Sequence, residues 1–269
     1  MTKSSDLHVP LDKPPQAISL TVRNLLSRVL SGGIRVPDFQ RPLRWRVDDV
    51  VKLFDSMVRG YPIGALLFWR RPAPKDEQYR IGGARIAVPE NPDAWWIVDG
   101  QQRVTALAAA LLELDHHGDR RWVLQYDPEK REFKPGTPTD SEIGRLVPLS
   151  ALGDLKRLGR WLRSPEMRLS EAEQSLLEEV QQRILDYELS AYLMETDQPE
   201  ALQGVFARMN STGVRMRSDE VFQALLKTDR PGRPGLDLDR LQESCDLDGF
   251  GQPPRHEIYK AVQIGRAHV

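Results

Sequence analysis

The chain has 269 residues, of which 40% are hydrophobic and 29% charged, and its formal net charge is −1. This balance is typical of a globular protein with one or two domains and carries no whole-chain signature of nucleic-acid binding, although it can hide a local basic patch. Cys245 is the single cysteine, which excludes an internal disulfide and a cysteine-clustered zinc site. No secretory signal stands in the polar first 16 residues, and no apolar run reaches the length of a membrane span. We therefore expect a cytoplasmic protein that does not enter a membrane.

Hydrophobic periodicity and turn residues predict an α+β order of elements. The predicted helices cover residues 19–30, 47–59, a central segment that follows residue 100, 170–187, 200–209 and 218–227. The predicted strands cover residues 34–36, 65–69, 80–88 with a break at Gly82 and Gly83, 95–98, 122–126 and 191–195. Polar and Pro/Gly-rich segments predict a loop over residues 127–139 and a linker or frayed edge over residues 231–254.

The most informative segment is residues 95–107 (WWIVDGQQRVTAL), where an apolar strand runs through Asp99 and Gly100 into a helix. An apolar stripe along that helix indicates a buried face: Val104, Leu107, Leu111 and Leu114. A glycine at such a turn allows a ligand close to the backbone, and the free N–H groups of the first helical turn attract anions. Arg103 adds a planar cation suited to phosphate. The segment predicts a phosphate-binding turn, although many strand–glycine–helix turns bind nothing.

Four ordered segments resemble the GmrSD-type restriction endonuclease N-terminal domain family. Residues 97–107 carry its Asp-Gly-Gln-Gln-Arg signature, and residues 34–45 (IRVPDFQRPLRW) resemble its upstream box. Residues 205–213 (VFARMNSTG) resemble its downstream box, and residues 60–64 (GYPIG) fit the segment between them. The resemblance spans about residues 18–228.

This resemblance implies a fold, an activity and partners. The family is similar to the ParB/sulfiredoxin superfamily, so we expect a small mixed sheet with surrounding helices, followed by a mainly helical lobe from about residue 150. Its members bind or hydrolyse nucleoside triphosphates in restriction and phage-defence enzymes and take part in recognising modified DNA. A separate C-terminal nuclease domain or subunit usually cuts the DNA. The sequence leaves the oligomeric state open, a homo-oligomer included.

Residue roles follow from the residue types and the resemblance together. The expected catalytic residues are Asp99, Gln101 and Gln102, and Asp99 is also expected to hold a divalent metal, with Mg²⁺ favoured. The expected nucleotide-binding residues are Gln40, Arg41, Gly100, Arg103, Thr105, Arg208 and Asn210. Each has a structural alternative: Asp99 as a helix N-cap, the glutamines as solvent-facing residues, and Arg103 as half of a structural salt bridge.

The two outer boxes leave further alternatives open. Pro37 and Pro42 restrict the segment that holds Gln40 and Arg41, which favours a preorganised ligand site, whereas Trp45 is better explained as a core residue. The run of arginines from residue 23 to residue 46 is either a phosphate or DNA surface or an ordinary solvated face. Asn210 closes over the nucleotide or only ends a helix.

The ends of the chain lie outside this resemblance. Residues 1–17 are expected to be a flexible N-terminus, and residues 229–269 a linker or the start of a C-terminal region. Residues 264–269 (IGRAHV) resemble the translation of a common sequencing adapter, so we expect the native protein to continue past about residue 263. Resequencing that finds a genuine stop codon after Val269 would contradict this expectation.

Two functional hypotheses follow. In the first, the chain is the NTP-hydrolysing part of a modification-dependent restriction or phage-defence endonuclease, and it regulates a nuclease domain that this sequence lacks. In the second, it is a ParB-like regulatory module that binds a nucleotide or DNA without significant catalysis. The sequence contains neither a Walker-type phosphate loop nor a His-Asn-His nuclease pattern.

Overall fold

The computed structural model describes residues 11, 13–36, 44–116, 118–136, 144–196 and 205. The chain divides into two compact units. Residues 15–36 and 41–195 form one unit, which contains all the elements given below. Residues 1–14, 37–40 and 196–269 form the other unit.

The described residues form a mixed α+β structure, as predicted. The strands are β1 (Gln16–Thr21), β2 (Ile34–Arg35), β3 (Leu66–Ala73), β4 (Asp76–Ile81), β5 (Ala84–Val88), β6 (Asn91–Asp99), β7 (Leu124–Asp127), β8 (Glu132–Pro135), β9 (Val147–Pro148) and β10 (Glu188–Met194). The helices are α1 (Val22–Leu30), α2 (Val47–Val58), α3 (Gln101–Leu111), α4 (Leu149–Leu152), α5 (Leu155–Leu162) and α6 (Glu171–Leu185). None of the helices in these residues combines the length and the apolar character that crossing a bilayer requires.

The central element is a five-stranded mixed sheet in the order β1-β10-β3-β6-β2. The pairs β10–β3 and β2–β6 are parallel, and the pairs β1–β10 and β3–β6 are antiparallel. β4 and β5 form a separate hairpin across the predicted break at Gly82 and Gly83, and β7 lies between β8 and β9 in a third small sheet. The small mixed sheet is therefore confirmed.

The core lies where alternating strand residues meet the apolar helix faces. Leu66 and Phe68 of β3 belong to the same buried cluster as Ile97 of β6, as expected when every second side chain points to one face. The stripe predicted on α1 is wholly buried: Val22, Leu25, Leu26 and Val29. On α3, nearly the whole circumference is buried from Val104 to Leu111, so this helix runs through the interior and its first turn is fixed by packing.

Two predicted elements were wrong in extent because pairing with distant strands overrides local pattern. The first helix was predicted to begin at residue 19, but residues 16–21 pair with β10 as the edge strand β1, and α1 begins at Val22. Residues 127–139 were predicted as a loop, but β8 within them pairs with β7. After the three helices α4–α6, β10 returns to the main sheet between β1 and β3.

Candidate functional site

The predicted phosphate-binding turn is a strand–turn–helix corner at the end of β6. Asp99 is the last residue of β6 and pairs with Leu67 of β3, beside a register shift between Leu67 and Phe68. Gly100 is the N-cap of α3, and no side chain caps the helix from that position. The first N–H groups of α3 therefore lie at the mouth of this corner, which is the backbone arrangement that binds anions in many proteins.

Gly100 is required at this corner for two physical reasons. Its φ angle of 92° lies in the left-handed region, which costs other residues conformational energy. A Cβ atom at this position would also lie 2.3 Å from Cδ2 of Leu66, a side chain that is 1% exposed. The glycine is thus explained by its backbone angle and by the packing of Leu66, and the close approach of a ligand stays a prediction.

Asp99 and Arg103 form an ion pair across the first turn of α3. Nη2 of Arg103 donates a hydrogen bond to Oδ2 of Asp99 at 3.2 Å, and the two side chains are 16% and 32% exposed for Arg103 and Asp99 respectively. Burial lowers the pKa of Arg103, and the charge and hydrogen bond of Asp99 oppose that shift. Since Gly100 is the N-cap, Asp99 does not have the N-cap role that was its structural alternative. For Arg103, the structure shows the structural alternative, which is an ion pair with Asp99.

The guanidinium of Arg103 also reaches a second loop. Nη1 donates to the carbonyl oxygen of Ile63 at 3.0 Å, and a Cβ atom on Gly64 would lie 2.6 Å from the same nitrogen. The hydroxyl of Tyr187 holds this loop from β10's side by donating to the carbonyl oxygen of Tyr61 at 2.7 Å. From the sequence, residues 60–64 were predicted only to match one segment of the family. Gly60 and Gly64 were the signal that could have placed this loop at the site.

A cavity of about 530 Å³ opens beside this loop, which Arg103 holds in place. Its lining residues come from the loop and from the start of β10: Gly60, Pro62, Ile63, Gly64, Ala65, Tyr187, Glu188, Leu189 and Ser190. Small-molecule sites commonly have volumes of roughly 300–1,000 Å³. A groove of about 540 Å³ lies elsewhere, next to the C-terminal end of α3.

The two glutamines of the turn have different surroundings. Oε1 of Gln102 accepts a hydrogen bond from the backbone N–H of Trp45 at 3.1 Å, so this side chain fixes the segment before α2 to α3. Nε2 of Gln101 is buried and has no hydrogen-bond partner among the residues that the structure describes. A buried amide without a partner is costly, so Gln101 is the glutamine that gains most from a ligand oxygen. Thr105, one turn further along α3, is 2% exposed.

Four predicted nucleotide-binding residues cannot be placed. Gln40, Arg41, Arg208 and Asn210 lie outside the described residues. The corner therefore brings together the other six predicted site residues on one strand end and one helix: Asp99, Gly100, Gln101, Gln102, Arg103 and Thr105.

The basic run before α2 is not one solvated surface. Arg35 is 2% exposed, and its guanidinium donates to three carbonyl oxygens, those of Gly32, Pro74 and Pro89, at 2.7–3.0 Å. Burial lowers its pKa. Arg28 stacks over the ring of Trp95 at 3.8 Å. These contacts make Arg35 a core residue, which corrects its inclusion among surface cations.

Asp99 is the candidate metal ligand. In the part of the chain that the structure describes, no three His, Cys, Asp or Glu residues cluster in a way that could hold a metal ion by themselves. Mg²⁺ is commonly held by one or two carboxylates together with substrate phosphates and water. A single carboxylate beside a helix N-terminus fits that mode, in which the phosphates arrive with the metal, and does not fit a permanent metal centre.

Comparison with protein-family models identifies the family of this chain. Residues 22–227, about three-quarters of the chain, match the family model of the GmrSD restriction endonuclease N-terminal domain. A sequence comparison with curated proteins found no match. The matched range contains the whole corner from Asp99 to Thr105 together with every helix described above. The chain therefore belongs to the family of GmrSD restriction endonuclease N-terminal domains.

Proposed function

We propose that this chain is the nucleotide-binding and NTP-hydrolysing domain of a modification-dependent restriction endonuclease. In this role it regulates DNA recognition and cleavage by a nuclease domain or subunit. The observation that carries the proposal is the corner at Gly100, where a helix N-terminus, a carboxylate and a guanidinium lie within one turn of one another. The family match supports the endonuclease part of the proposal.

The triphosphate binds at the N-terminus of α3. Its oxygens accept hydrogen bonds from the N–H groups of the first turn, where the helix dipole favours negative charge. Nε2 of Gln101, which is buried without a partner in the described part of the chain, donates to another ligand oxygen. The cavity of about 530 Å³ beside the loop that Arg103 contacts would take the remainder of the nucleotide.

The Asp99–Arg103 ion pair rearranges when the nucleotide binds. Phosphate oxygens compete with Asp99 for the guanidinium of Arg103. The carboxylate of Asp99 would then hold Mg²⁺, which would neutralise charge on the phosphates. Gln101 would orient the attacking water, and Asp99 would hold the metal. Gln102 acts at a distance from the ligand by holding Trp45.

Thermal-shift titration of the full chain with each of the four NTPs, with and without Mg²⁺, tests the binding step. A ligand that binds only the folded state stabilises it by about 2.7 kcal/mol at a hundredfold excess over its Kd. We expect a shift with at least one NTP, and we expect Gln101→Ala to reduce the shift strongly. The matched control is Gln182→Ala, which removes an exposed glutamine from α6 and is expected to change nothing.

Arg103→Ala is the second variant. It is expected to abolish the NTP-dependent shift, because it removes the guanidinium that is proposed to bind phosphate. Since Arg103 also donates a hydrogen bond to the carbonyl oxygen of Ile63, the unfolding temperature of the Arg103→Ala protein must also be measured without ligand. An Arg103→Ala protein that is folded and binds NTP with unchanged affinity would refute the assignment.

Binding without turnover is the second candidate function. The observation that favours it is the hydrogen-bonded ion pair between Arg103 and Asp99. The guanidinium compensates the charge of the carboxylate unless the pair opens. Steady-state phosphate release distinguishes the two candidates. Release above background that is lost in Asp99→Asn supports hydrolysis, whereas a bound nucleotide that is never cleaved supports the regulatory module.

A further inference from the structure

Helix α5 carries a stripe of cations next to the C-terminal end of α3, whereas the corner at Gly100 lies at the N-terminal end of α3. The segment 155–163 (LKRLGRWLR) contains four basic residues and no acidic residue. Lys156, Arg160 and Arg163 are exposed, and their spacing of four and three residues places them on one face of the helix. These three residues are called the α5 stripe below.

The α5 stripe is not neutralised by acidic side chains. None of its three cations has an ion pair or side-chain hydrogen bond in the described part of the chain. Asp154, the nearest acidic residue in sequence, is used as the N-cap and accepts from the N–H of Arg157 at 3.0 Å. By contrast, five exposed arginines elsewhere pair with carboxylates: Arg23 with Asp186, Arg59 with Asp55, Arg70 with Asp93 and Glu195, Arg145 with Glu129, and Arg183 with Glu179.

The helix that carries the stripe is held rigidly. Nη2 of Arg157 donates to the carbonyl oxygen of Leu111 at 2.8 Å, which fixes α5 to the C-terminal end of α3. Leu158 is 2% exposed in the core. Gly153 packs so closely that an added Cβ would lie 2.0 Å from the same carbonyl oxygen. The cations therefore project from a fixed platform, and binding a partner would cost little backbone ordering.

The dimensions and charge of the stripe fit the backbone of duplex DNA. From Lys156 to Arg163, the C-cap residue of α5, the rise is about 10.5 Å at 1.5 Å per residue, which matches the rise along the duplex axis of about three phosphates of one strand at 3.4 Å each. Between the outer cations the helix surface is low, because Gly159 has no side chain and the guanidinium of Arg163 lies over it, with Nη1 3.4 Å from where a Cβ would stand. A phosphate chain can therefore approach all three cations together.

We propose that the α5 stripe contacts the phosphate backbone of duplex DNA without reading its sequence. This deepens the proposed function by naming the surface that engages DNA, and it rests on that function only in its DNA part. The stripe lies at the far end of α3 from Gly100, about 16 Å along an 11-residue helix. Arg157 links the stripe's helix to that end, so α3 connects the two regions physically.

The test is the salt dependence of DNA binding by the full chain, measured with a fluorescent duplex of arbitrary unmodified sequence and without nucleotide. The variant carries Lys156→Gln, Arg160→Gln and Arg163→Gln, which keep the helix propensity and remove three charges. The slope of log affinity against log salt is negative, and each lost phosphate contact reduces its magnitude by about 0.9. We therefore expect the magnitude of the slope to fall by about 2.7 in the triple variant. Should the triple variant fail to fold, each single substitution is expected to reduce the magnitude of the slope by about 0.9.

A matched control removes three charges from paired arginines, with Arg59→Gln, Arg145→Gln and Arg183→Gln, and is expected to retain the slope of the unmodified chain. The proposal is overturned if the folded stripe variant keeps the full slope, if the control loses as much, or if the unmodified chain does not bind duplex at low salt. It is also overturned if the stripe mediates binding to vesicles of anionic lipid and not to DNA. Because nucleotide is absent, failure here leaves the nucleotide proposal to its own test.

Discussion

At the scale of single residues, Gly100 shows how one position combines backbone and packing requirements. Gly100→Ala is expected to lower the free energy of unfolding by about 1–2 kcal/mol, because alanine is strained in the left-handed conformation. Overpacking against Leu66 is expected to lower it by roughly 1–3 kcal/mol more. Gly60→Ala is the matched control, since Gly60 has a φ angle of 74° and no atom within 4 Å of an added Cβ. Urea unfolding measures both variants, and equal losses would contradict the packing argument.

Gln102 tests whether a residue in the signature is structural. Gln102→Ala removes the acceptor for the N–H of Trp45 and is expected to cost about 1 kcal/mol, a typical net value for a hydrogen bond. Gln102→Glu retains an oxygen at that place and is expected to retain most of the stability. Hydrogen exchange at the Trp45 amide is the direct measurement: it should quicken in Gln102→Ala and not in Gln102→Glu. Unchanged protection in both variants would remove the positioning role.

At the scale of elements, much of the fold was predictable wherever periodicity and caps agree. The helix predicted from residue 170 is α6, and a capping box between Ser170 and Glu173 fixes its start. The site corner was also predictable, because strand, glycine and helix are contiguous in the chain. β1 and β8 were missed since their stability comes from partners distant in sequence or across a turn, which local pattern does not encode. The loop that accepts from Arg103 was missed as a site element for the same reason: Ile63 lies 40 residues from Arg103.

The capping box of α6 makes a pH-dependent contribution to stability. Hydrogen bonds from the hydroxyl and N–H of Ser170 hold the pKa of Glu173 below its ordinary value. A carboxyl whose folded-state pKa is depressed stabilises the fold above its unfolded pKa, and that stabilisation is lost as pH falls through the folded pKa. Ser170→Ala is expected to cost about 1 kcal/mol at neutral pH and to bring the pKa of Glu173 back towards its ordinary value.

The pKa of Glu173 can be followed by NMR titration of its side-chain carboxyl carbon. Ser175→Ala is the control, because Ser175 is an exposed interior residue of the same helix and alanine is the better helix former there. It is expected to leave both the pKa and the pH dependence unchanged. A Glu173 pKa that does not move in Ser170→Ala would show that the box is not formed in solution.

At the scale of the whole molecule, the main sheet closes late along the chain. β10 lies between β1 and β3, and its Ala191 stands opposite Ile18 on one side and Leu66 on the other. The strand that joins these two neighbours is therefore made only after helices α1 to α6 have been synthesised. Such non-local pairing requires loop closure before its contacts form, which slows folding. The corner at Gly100 depends on this closure, since β3 carries both Leu66, which packs against Gly100, and Leu67, which pairs with Asp99.

Interrupting β10 is accordingly expected to unfold the sheet as a unit. Ala191→Pro removes a backbone donor from a strand that has neighbours on both sides, and proline is essentially confined to edge strands and bulges; at 2% exposure its ring must also be accommodated in the core. We expect this variant to lose cooperative thermal unfolding and any NTP-dependent shift together. Ala191→Gly keeps the N–H and is expected to fold with a loss of about 1 kcal/mol. If Ala191→Pro instead unfolds cooperatively close to Ala191→Gly, as followed by circular dichroism, then β10 is not the strand on which closure of the sheet depends.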